Sequence, residues 1–414
     1  MSERLSYLGL IRDRTFGSLW AAQLVSQSGD AIFDVALLWL VLVTTGSTVL
    51  VGFTQAVVLL PQVLAGPIAG VYADRQNRRN IMIASNLVQG TVTAVISLLY
   101  VDGALAFPYL IFLVLLLFTA AQFFRASANA ILPRIVNKGS LGAANGLLSL
   151  TASANQLVGY ALGGVVLVTI GAAGSITYDS LTFFFAAAAL TLVARSYGRV
   201  RDGAPAPDNG PKERFWKSFR EGLVYVRRNR LFLELVAFGL IANFFSGGVT
   251  AITAPYIRTQ LHGDALTYGL ALASVSLGAI VGSAVVGKLD FRAYAGKLLM
   301  VGVVLFALLI ALLGIVTSIP EAFSIFFVIG VLLGAINLPI GVLVQTKVPN
   351  EILGRASTVM GSLLGAAQPV AALSFGWLAG MVSLGSIFLG AGIAMFAISL
   401  ALYFPFSELR KASY

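Results

Sequence analysis

The chain consists of long apolar stretches separated by short polar segments. Twelve of these stretches are long enough to cross a membrane, because a spanning helix needs about 20 predominantly apolar residues. They are predicted at residues 16–43, 49–72, 79–101, 107–132, 142–170, 175–195, 231–257, 266–288, 296–317, 321–346, 355–381 and 384–406. The pattern therefore predicts an all-α, polytopic membrane protein with twelve transmembrane helices.

The composition supports this class and argues against several others. Hydrophobic residues make up 58% of the chain and charged residues only 11%, whereas about 25% of the residues in soluble domains are charged. The chain has no cysteine and a single histidine, His262, so neither a metal site nor another cofactor is predicted. The sequence shows no nucleophile–base pair and no phosphate-binding loop. We therefore do not expect an enzyme.

The basic residues predict which side of the membrane each loop occupies. Of the 27 Lys and Arg, 25 fall in segments that face one side, the exceptions being Arg125 inside the fourth span and Arg258 at the outer end of the seventh. Cytoplasmic loops are enriched in Lys and Arg. Both termini are therefore predicted on the cytoplasmic side of a prokaryotic plasma (inner) membrane. The net charge of +10 then reflects topology and contact with membrane lipids rather than a nucleic-acid partner.

The predicted spans fall into two related halves. An N-terminal six-helix bundle is predicted for residues 1–195, a cytoplasmic linker with a possible amphipathic helix for 196–230, and a C-terminal six-helix bundle for 231–414. The halves resemble each other at a constant offset of 212 residues, which pairs LGAAN at 141–145 with LGRAS at 353–357. Such a parallel repeat is an architecture of secondary transporters.

One loop carries a family signature. Residues 70–79, GVYADRQNRR, resemble the motif between spans two and three of the major facilitator superfamily. Five residues match it, while Asn77 stands where glycine is usual; the matching residues are Gly70, Asp74, Arg75, Arg78 and Arg79. The resemblance implies the major facilitator fold, a monomer, and a conformational latch in which Asp74 lies near the N-terminus of span eleven, where the helix dipole favours an acid.

Further stretches narrow the resemblance. GYALGG at residues 159–164 is similar to an antiporter motif of the superfamily in Gly159, Gly163 and Gly164, although Tyr160 replaces a proline; small residues at this spacing also serve plain helix packing. Three longer stretches resemble the branch that contains macrolide-efflux and enterobactin-exporter proteins, namely residues 12–39, 123–136 and 243–257. That branch implies efflux of small molecules.

The first span contains a polar stripe. Gln23, Gln27, Asp30 and Asp34 recur at helical spacing on one face. Ionisable residues inside spans usually face the bundle interior or a water-filled cavity, and the resemblance implies that this span lines the central cavity. At ~1.5 Å per residue from Phe16, Asp30 lies about 21 Å deep and Asp34 about 27 Å. We interpret Asp30 as the proton carrier and Asp34 as a second coupling or vestibule residue, with helix packing as the alternative.

The second half repeats the stripe without its acids. At an offset of 216, Gln27, Asp30 and Asp34 pair with Asn243, Ser246 and Thr250, which are predicted to line the substrate cavity. Since Ser and Thr would satisfy a need for polarity alone, the acids of the first span indicate an added function.

Other polar residues complete the candidate cavity. Arg125 in span four pairs with Asn337 of span ten at the offset of 212. Arg125 has three open roles: binding an anionic substrate group, shifting proton affinity through water, or reaching the cytoplasmic surface. Asp179, near the start of span six, is interpreted as a marker of the outer interface, and Glu234 as a partner of nearby arginines. The remaining candidates are Gln55, Gln122, Asn129, Asn155, Gln156, Phe244, Phe245 and Gln368.

These patterns together predict a secondary transporter that exports hydrophobic or amphipathic small molecules in exchange for protons by alternating access. Three alternatives stay open. One is a dedicated siderophore or metabolite exporter, in which Arg125 meets an anion. Another is a lysophospholipid flippase, and a third is a membrane sensor that transports nothing.

Overall fold

A computed structural model of the chain describes residues 7–194, 211–289 and 294–413. Nearly all of these residues are helical, and the described ranges contain no strand. The helices are α1 Tyr7–Arg12, α2 Arg14–Thr45, α3 Thr48–Leu64, α4 Gly66–Arg75, α5 Arg78–Val101, α6 Phe107–Ile135, α7 Leu141–Leu190, α8 Pro211–Arg228, α9 Arg230–Thr259, α10 Ala265–Lys288, α11 Ala295–Leu313, α12 Ile319–Lys347, α13 Asn350–Leu378, α14 Leu384–Tyr403 and α15 Ser407–Lys411. The all-helical membrane fold predicted from the apolar stretches is confirmed.

The number of spans depends on two irregular regions. Within the described ranges, 10 helices are long and apolar enough to cross a membrane, or up to 11 if α3 and α4, bent by 42°, form one span. The stretch Lys138–Leu190 has 53 residues, about 80 Å at ~1.5 Å per residue, and so exceeds twice the ~30 Å hydrocarbon core. Gly171, with φ 72° and ψ −179°, breaks the helical backbone inside it. If Gly171 divides α7 into two spans, the total becomes twelve. The count of twelve and the cytoplasmic location of the termini both stay predictions.

The chain divides into two compact units, Met1–Leu40 with Val57–Pro205 and Val41–Ala56 with Ala206–Tyr414. The bundle boundaries proposed from the sequence stay a prediction. The part of the predicted linker at residues 196–210 lies outside the described residues.

The first unit is built around an apolar cluster at one end of its helices. Buried side chains from five helices (α1, α2, α5, α6 and α7) form it, including Phe16 and Leu19 from α2, Met82 from α5 and Ile131 from α6. The Trp20 indole N–H, next to this cluster, donates a hydrogen bond of 2.9 Å to the Thr151 hydroxyl of α7. Helix α5 packs against both α6 and α7, and α4 packs against α6.

In the second unit α9 packs on α13, and α10 packs on α12. The crossing of α10 and α12 uses glycines on both helices: Gly278 and Gly282 face main-chain atoms of α12, while Gly330 and Gly334 face main-chain atoms of α10. Small residues four apart let helix backbones approach closely, which is how helices associate without a hydrophobic driving force in lipid.

Helix α8 follows the part of the predicted linker that is not described, and it packs against α13. A side chain at Gly222 would lie 2.6 Å from the Arg355 carbonyl oxygen, and Glu221 forms a salt bridge with the Arg355 guanidinium. Val226 on the same helix is buried. The apolar side of this helix therefore packs against protein, in addition to any contact with lipid.

The break at Gly171 can be tested by cysteine labelling. The chain has no cysteine of its own, so each introduced cysteine is the only labelling site. If the break separates two spans, Lys138 and Leu192 lie on the same side of the membrane and Ala104 on the opposite side. We expect a membrane-impermeant maleimide to label Ala104→Cys in intact cells, and Lys138→Cys and Leu192→Cys only after permeabilisation. Opposite labelling of Lys138→Cys and Leu192→Cys would mean that α7 crosses the membrane once.

Candidate functional site

A cavity of about 310 Å³ lies within the first unit, between helices α2, α5, α6 and α7. Its polar lining side chains are Gln27, Asp30, Asp34, Gln89, Gln122, Arg125, Asn155, Gln156 and Tyr160. Phe33, Leu117 and Phe118 supply much of the apolar lining. A mostly apolar cleft with a few convergent polar groups is the usual form of a small-molecule site.

Three of the four residues of the predicted first-span stripe line this cavity. Asp30 is exposed to it and Asp34 is half-buried. The Gln27 amide oxygen is buried and has no hydrogen-bond partner among the described residues. Gln23 is not among the residues that line this cavity; it is 8% exposed and lies next to Ala22, which belongs to the apolar cluster. Its role as a cavity residue stays a prediction.

Close packing of α7 fixes the position of α2 at the cavity. The Asn155 amide donates a hydrogen bond of 2.9 Å to the Leu24 carbonyl oxygen. One turn further along α7, a side chain at Gly159 would lie 2.6 Å from the Ala31 Cβ. A third contact follows at Gly163, where a side chain would lie 3.1 Å from a Val35 methyl. The predicted antiporter-like glycines Gly159 and Gly163 thus supply the close approach of the helix that carries Asp30 and Asp34, and Gly164 is also buried.

Arg125 supplies the positive charge of the cavity. Its side chain is exposed to the cavity, and it forms no salt bridge within the described parts of the chain. A guanidinium offers five hydrogen-bond donors and stays charged. The cavity therefore presents one cation from α6 and two acids from α2.

The residues paired with the stripe in the second unit have local hydrogen-bond partners. The Gln368 amide donates a hydrogen bond of 2.8 Å to the Asn243 side-chain oxygen, which joins α13 to α9. The Thr250 hydroxyl donates to the Ser246 carbonyl oxygen at 2.9 Å, and Asn337 on α12 is exposed. Their role as cavity residues stays a prediction.

The residues of the predicted latch divide into two groups. Arg78 and Arg79 are buried: the Arg78 Nε donates to the Ala73 carbonyl oxygen at 3.1 Å and the Arg79 Nη2 to the Thr191 carbonyl oxygen at 2.7 Å. Both carbonyls lie at helix C-terminal ends, where the dipole favours a cation. Arg75 is exposed, and a side chain at Gly70 would meet open space.

Two further residues explain details of the same motif. The Asp74 side chain is 75% exposed and lies 3.5 Å from the Arg78 guanidinium. Asn77, at the usual glycine position, caps α5 by accepting a hydrogen bond of 3.2 Å from the Asn80 N–H, a role for which asparagine is well suited. The latch function itself stays a prediction.

The structure corrects the interpretation of Asp179. The sequence placed it at the outer membrane interface, near the start of span six. Asp179 is instead 0% exposed, and neither carboxylate oxygen has a hydrogen-bond partner within the described ranges. The break at Gly171 starts this helical segment earlier than expected, so Asp179 lies about 12 Å along it at ~1.5 Å per residue.

Comparison with known proteins identifies the type of chain. A sequence profile for a major facilitator family described as "Transmembrane secretion effector" matches residues 5–413. Macrolide efflux protein A of Streptococcus pyogenes is 24% identical over 404 residues, with 96% of each chain covered. Multidrug efflux pump Tap of Mycolicibacterium fortuitum is 25% identical over 402 residues, covering 95% of this chain and 96% of that protein.

A solved structure shows the same fold. It is that of a bacterial homologue of the human lysosomal transporter Spinster in an inward-facing, unoccupied conformation, with a TM-score of 0.71, 17% identity, and coverage of 96% of this chain and 98% of that one. The predictions of a multi-pass cell-membrane protein and of a transporter rather than an enzyme are therefore confirmed.

The buried motif arginines predict a difference in stability. Arg79→Ala should lower the thermal unfolding temperature in detergent, because the Thr191 carbonyl loses a hydrogen bond from a charged donor, worth about 1.5–3 kcal/mol. Arg75→Ala, at an exposed position of the same motif, should leave that temperature unchanged. Tryptophan fluorescence on heating measures both variants, and an equal effect of the two substitutions would contradict the structural role of Arg79.

Proposed function

Since the chain belongs to the transmembrane secretion effector family of the major facilitator superfamily, we propose that it exports hydrophobic or amphipathic small molecules in exchange for protons. Transport across the cell membrane is the activity shared by its family. The substrate class, the proton coupling and the alternating-access cycle are the proposal. The observation that carries it is the cavity of the first unit, in which two acids and an arginine lie among aromatic and amide side chains.

The exposure of Asp30 supports its role in coupling. An ionised carboxylate inside a membrane is costly unless it is paired or hydrated. Asp30 faces the cavity, where either a proton or a positively charged group of a substrate can neutralise it. If Asp30 binds either a proton or the substrate, but not both at once, the transporter carries substrate in one direction and a proton in the other. This exchange is antiport.

The rest of the cavity suits an amphipathic substrate. Phe33, Phe118 and Tyr160 offer ring surfaces, and amide side chains such as Gln156 offer hydrogen-bonding groups in the same lining. The relatives named for macrolide and multidrug efflux agree with substrates of this kind.

One observation favours a second candidate. Arg125 carries an exposed charge at the cavity, and the described residues place no acid in salt-bridge contact with it. An anionic metabolite, such as a catecholate siderophore, would meet this cation. Such an exporter would depend on Arg125 more strongly than on Asp30.

Substitution of Asp30 tests the proposal. In everted membrane vesicles energised by respiration, wild-type protein should accumulate ethidium and release protons from the vesicle lumen when ethidium is added. Asp30→Asn removes the titratable group while keeping its shape, so both signals should fall to the level of vesicles without the protein. Asp34→Asn should retain proton-dependent accumulation.

The control is Asp264→Asn, which removes an acid outside the spans. Asp264 caps α10, and hydrogen bonds from the Thr267 main chain and side chain hold the pKa of Asp264 below its ordinary value. Asparagine also caps helices well, so this variant should behave as wild type. Full proton-dependent transport by Asp30→Asn would overturn the coupling proposal. Transport of the siderophore or of a lysophospholipid in place of ethidium would support the corresponding alternative substrate.

A further inference from the structure

The proposed cycle leaves one buried acid without a role. Asp179 in α7 is 0% exposed, and it is absent from the lining of the cavity. Both of its carboxylate oxygens lack a hydrogen-bond partner among the described residues. The nearby Thr182 hydroxyl donates to the Asp179 main-chain carbonyl at 2.7 Å, and the same hydroxyl is the one uncharged polar side-chain group that also acts on the carboxylate among the described residues.

The carboxylate lies against the main chain of α2, beside the cavity acid. A side chain at Gly29 would lie 2.5 Å from the Asp179 Oδ1 and 3.1 Å from its Cα, so only glycine leaves room there. Gly29 directly precedes Asp30. The bare main chain of α2 therefore separates the buried carboxyl of Asp179 from the cavity carboxyl of Asp30.

The charged groups that act on Asp179 are both acids. They are Asp30 and Asp34, which approach it from α2. Helix α5, which packs on α7, contributes uncharged groups to this face: the Ser180 hydroxyl, next to Asp179, donates to the Gly90 carbonyl oxygen at 2.7 Å. No group of three or more His, Cys, Asp or Glu in the described part of the chain is placed to hold a metal ion.

A second buried acid shows what a structural carboxylate looks like in this chain. Glu234 is 4% exposed, and both of its oxygens are bonded. The Arg230 Nε donates to one at 3.0 Å, and the Leu409 main-chain N–H donates to the other at 2.8 Å. A buried ionised carboxylate costs several kcal/mol unless it is paired in this way. Asp179 has no such partner among the described residues, so its ionised form would carry this cost.

We propose that Asp179 holds a proton behind the wall of the cavity and exchanges it with Asp30 during transport. This inference rests on the proposed proton antiport. The exchange needs no other reactant: the O–H bond of the Asp179 carboxyl breaks, and a new O–H bond forms on the ionised carboxylate of Asp30. The proton passes when a shift of α2 at Gly29, or a water admitted there, connects the two groups. A cationic substrate that occupies Asp30 would then leave the proton stored at Asp179.

Infrared spectroscopy of the purified full-length protein tests the protonation. A protonated carboxyl absorbs at a C=O stretching frequency distinct from that of a carboxylate. We expect wild-type protein at pH 7 to show such a band that Asp179→Asn lacks. Asp264→Asn should keep the band, because hydrogen bonds from Thr267 lower the pKa of Asp264 and leave it ionised at this pH. An unchanged band in Asp179→Asn would overturn the proposal.

Coupling tests the exchange, and it separates this inference from the proposed function. In everted vesicles we expect Asp179→Asn to move fewer protons per ethidium than wild type, while the equilibrium binding of ethidium to purified protein stays unchanged. A wild type that shows no proton-driven ethidium transport would overturn the proposed function, and the exchange with it. A wild type that is coupled while Asp179→Asn has the same proton-to-ethidium ratio would overturn the exchange alone and make Asp179 a packing residue.

Gly29→Ala provides a second variant in case Asp179→Asn does not fold. The added methyl would displace the Asp179 carboxylate, since it would lie 2.5 Å from Oδ1. We expect Gly29→Ala to lower the proton-to-ethidium ratio even though Asp30, Asp34 and Asp179 are all kept. The matched control is Gly142→Ala on α7, the helix that carries Asp179, where a side chain would meet open space. Equal ratios in the two glycine variants would contradict the proposal.

Discussion

The close approach of α2 to its neighbours is the contact on which the cavity depends. Asn155 and Gly159 hold α7 against one side of α2, and Gly29 leaves room for α7's later segment on another. Helices in lipid gain little from hydrophobic attraction, so small residues and interhelical hydrogen bonds determine how they pack. Because α2 is held on these sides, its polar stripe faces the remaining space, which is the cavity.

The cost of burying charge explains how the acids of this chain are arranged. Glu234 has a cation and a main-chain N–H as partners, as a structural acid requires. Asp30 faces the cavity, where water, a proton or a substrate can neutralise it. Asp179 is fully buried, and its carboxylate oxygens have no hydrogen-bond partner among the described residues, which is why we propose that it holds a proton. The contrast among Glu234, Asp30 and Asp179 supports the different roles proposed for them, although each of them lies in an apolar helix.

The all-helical membrane fold could be predicted from the sequence, because the length of the apolar stretches is a local property that membranes constrain strongly. The polar stripe of the first span could also be predicted from the sequence, since helical spacing alone brings Gln27, Asp30 and Asp34 to one face. Gln23 follows the same spacing, yet it is 8% exposed and does not belong to the lining of this cavity, which helical spacing alone does not show.

Asp179 could not be placed from the sequence. Its depth depends on the backbone break at Gly171, which apolar periodicity does not reveal. Its burial depends on the missing side chain of Gly29, a residue about 150 positions away in the chain whose contact arises only from packing between helices. The role of Asn77 could not be predicted from the sequence either. The motif usually has glycine at this position, and only the local geometry shows that the asparagine caps α5.

The central claim is that substrate movement and proton movement are linked through the cavity acid. The most direct measurement uses proteoliposomes that contain the purified protein, an internal pH dye and an ethidium gradient, with no initial pH difference. The account predicts that the ethidium gradient alone creates a pH difference in wild-type liposomes and not in those with Asp30→Asn. Ethidium movement by the wild type without any change in internal pH would contradict it.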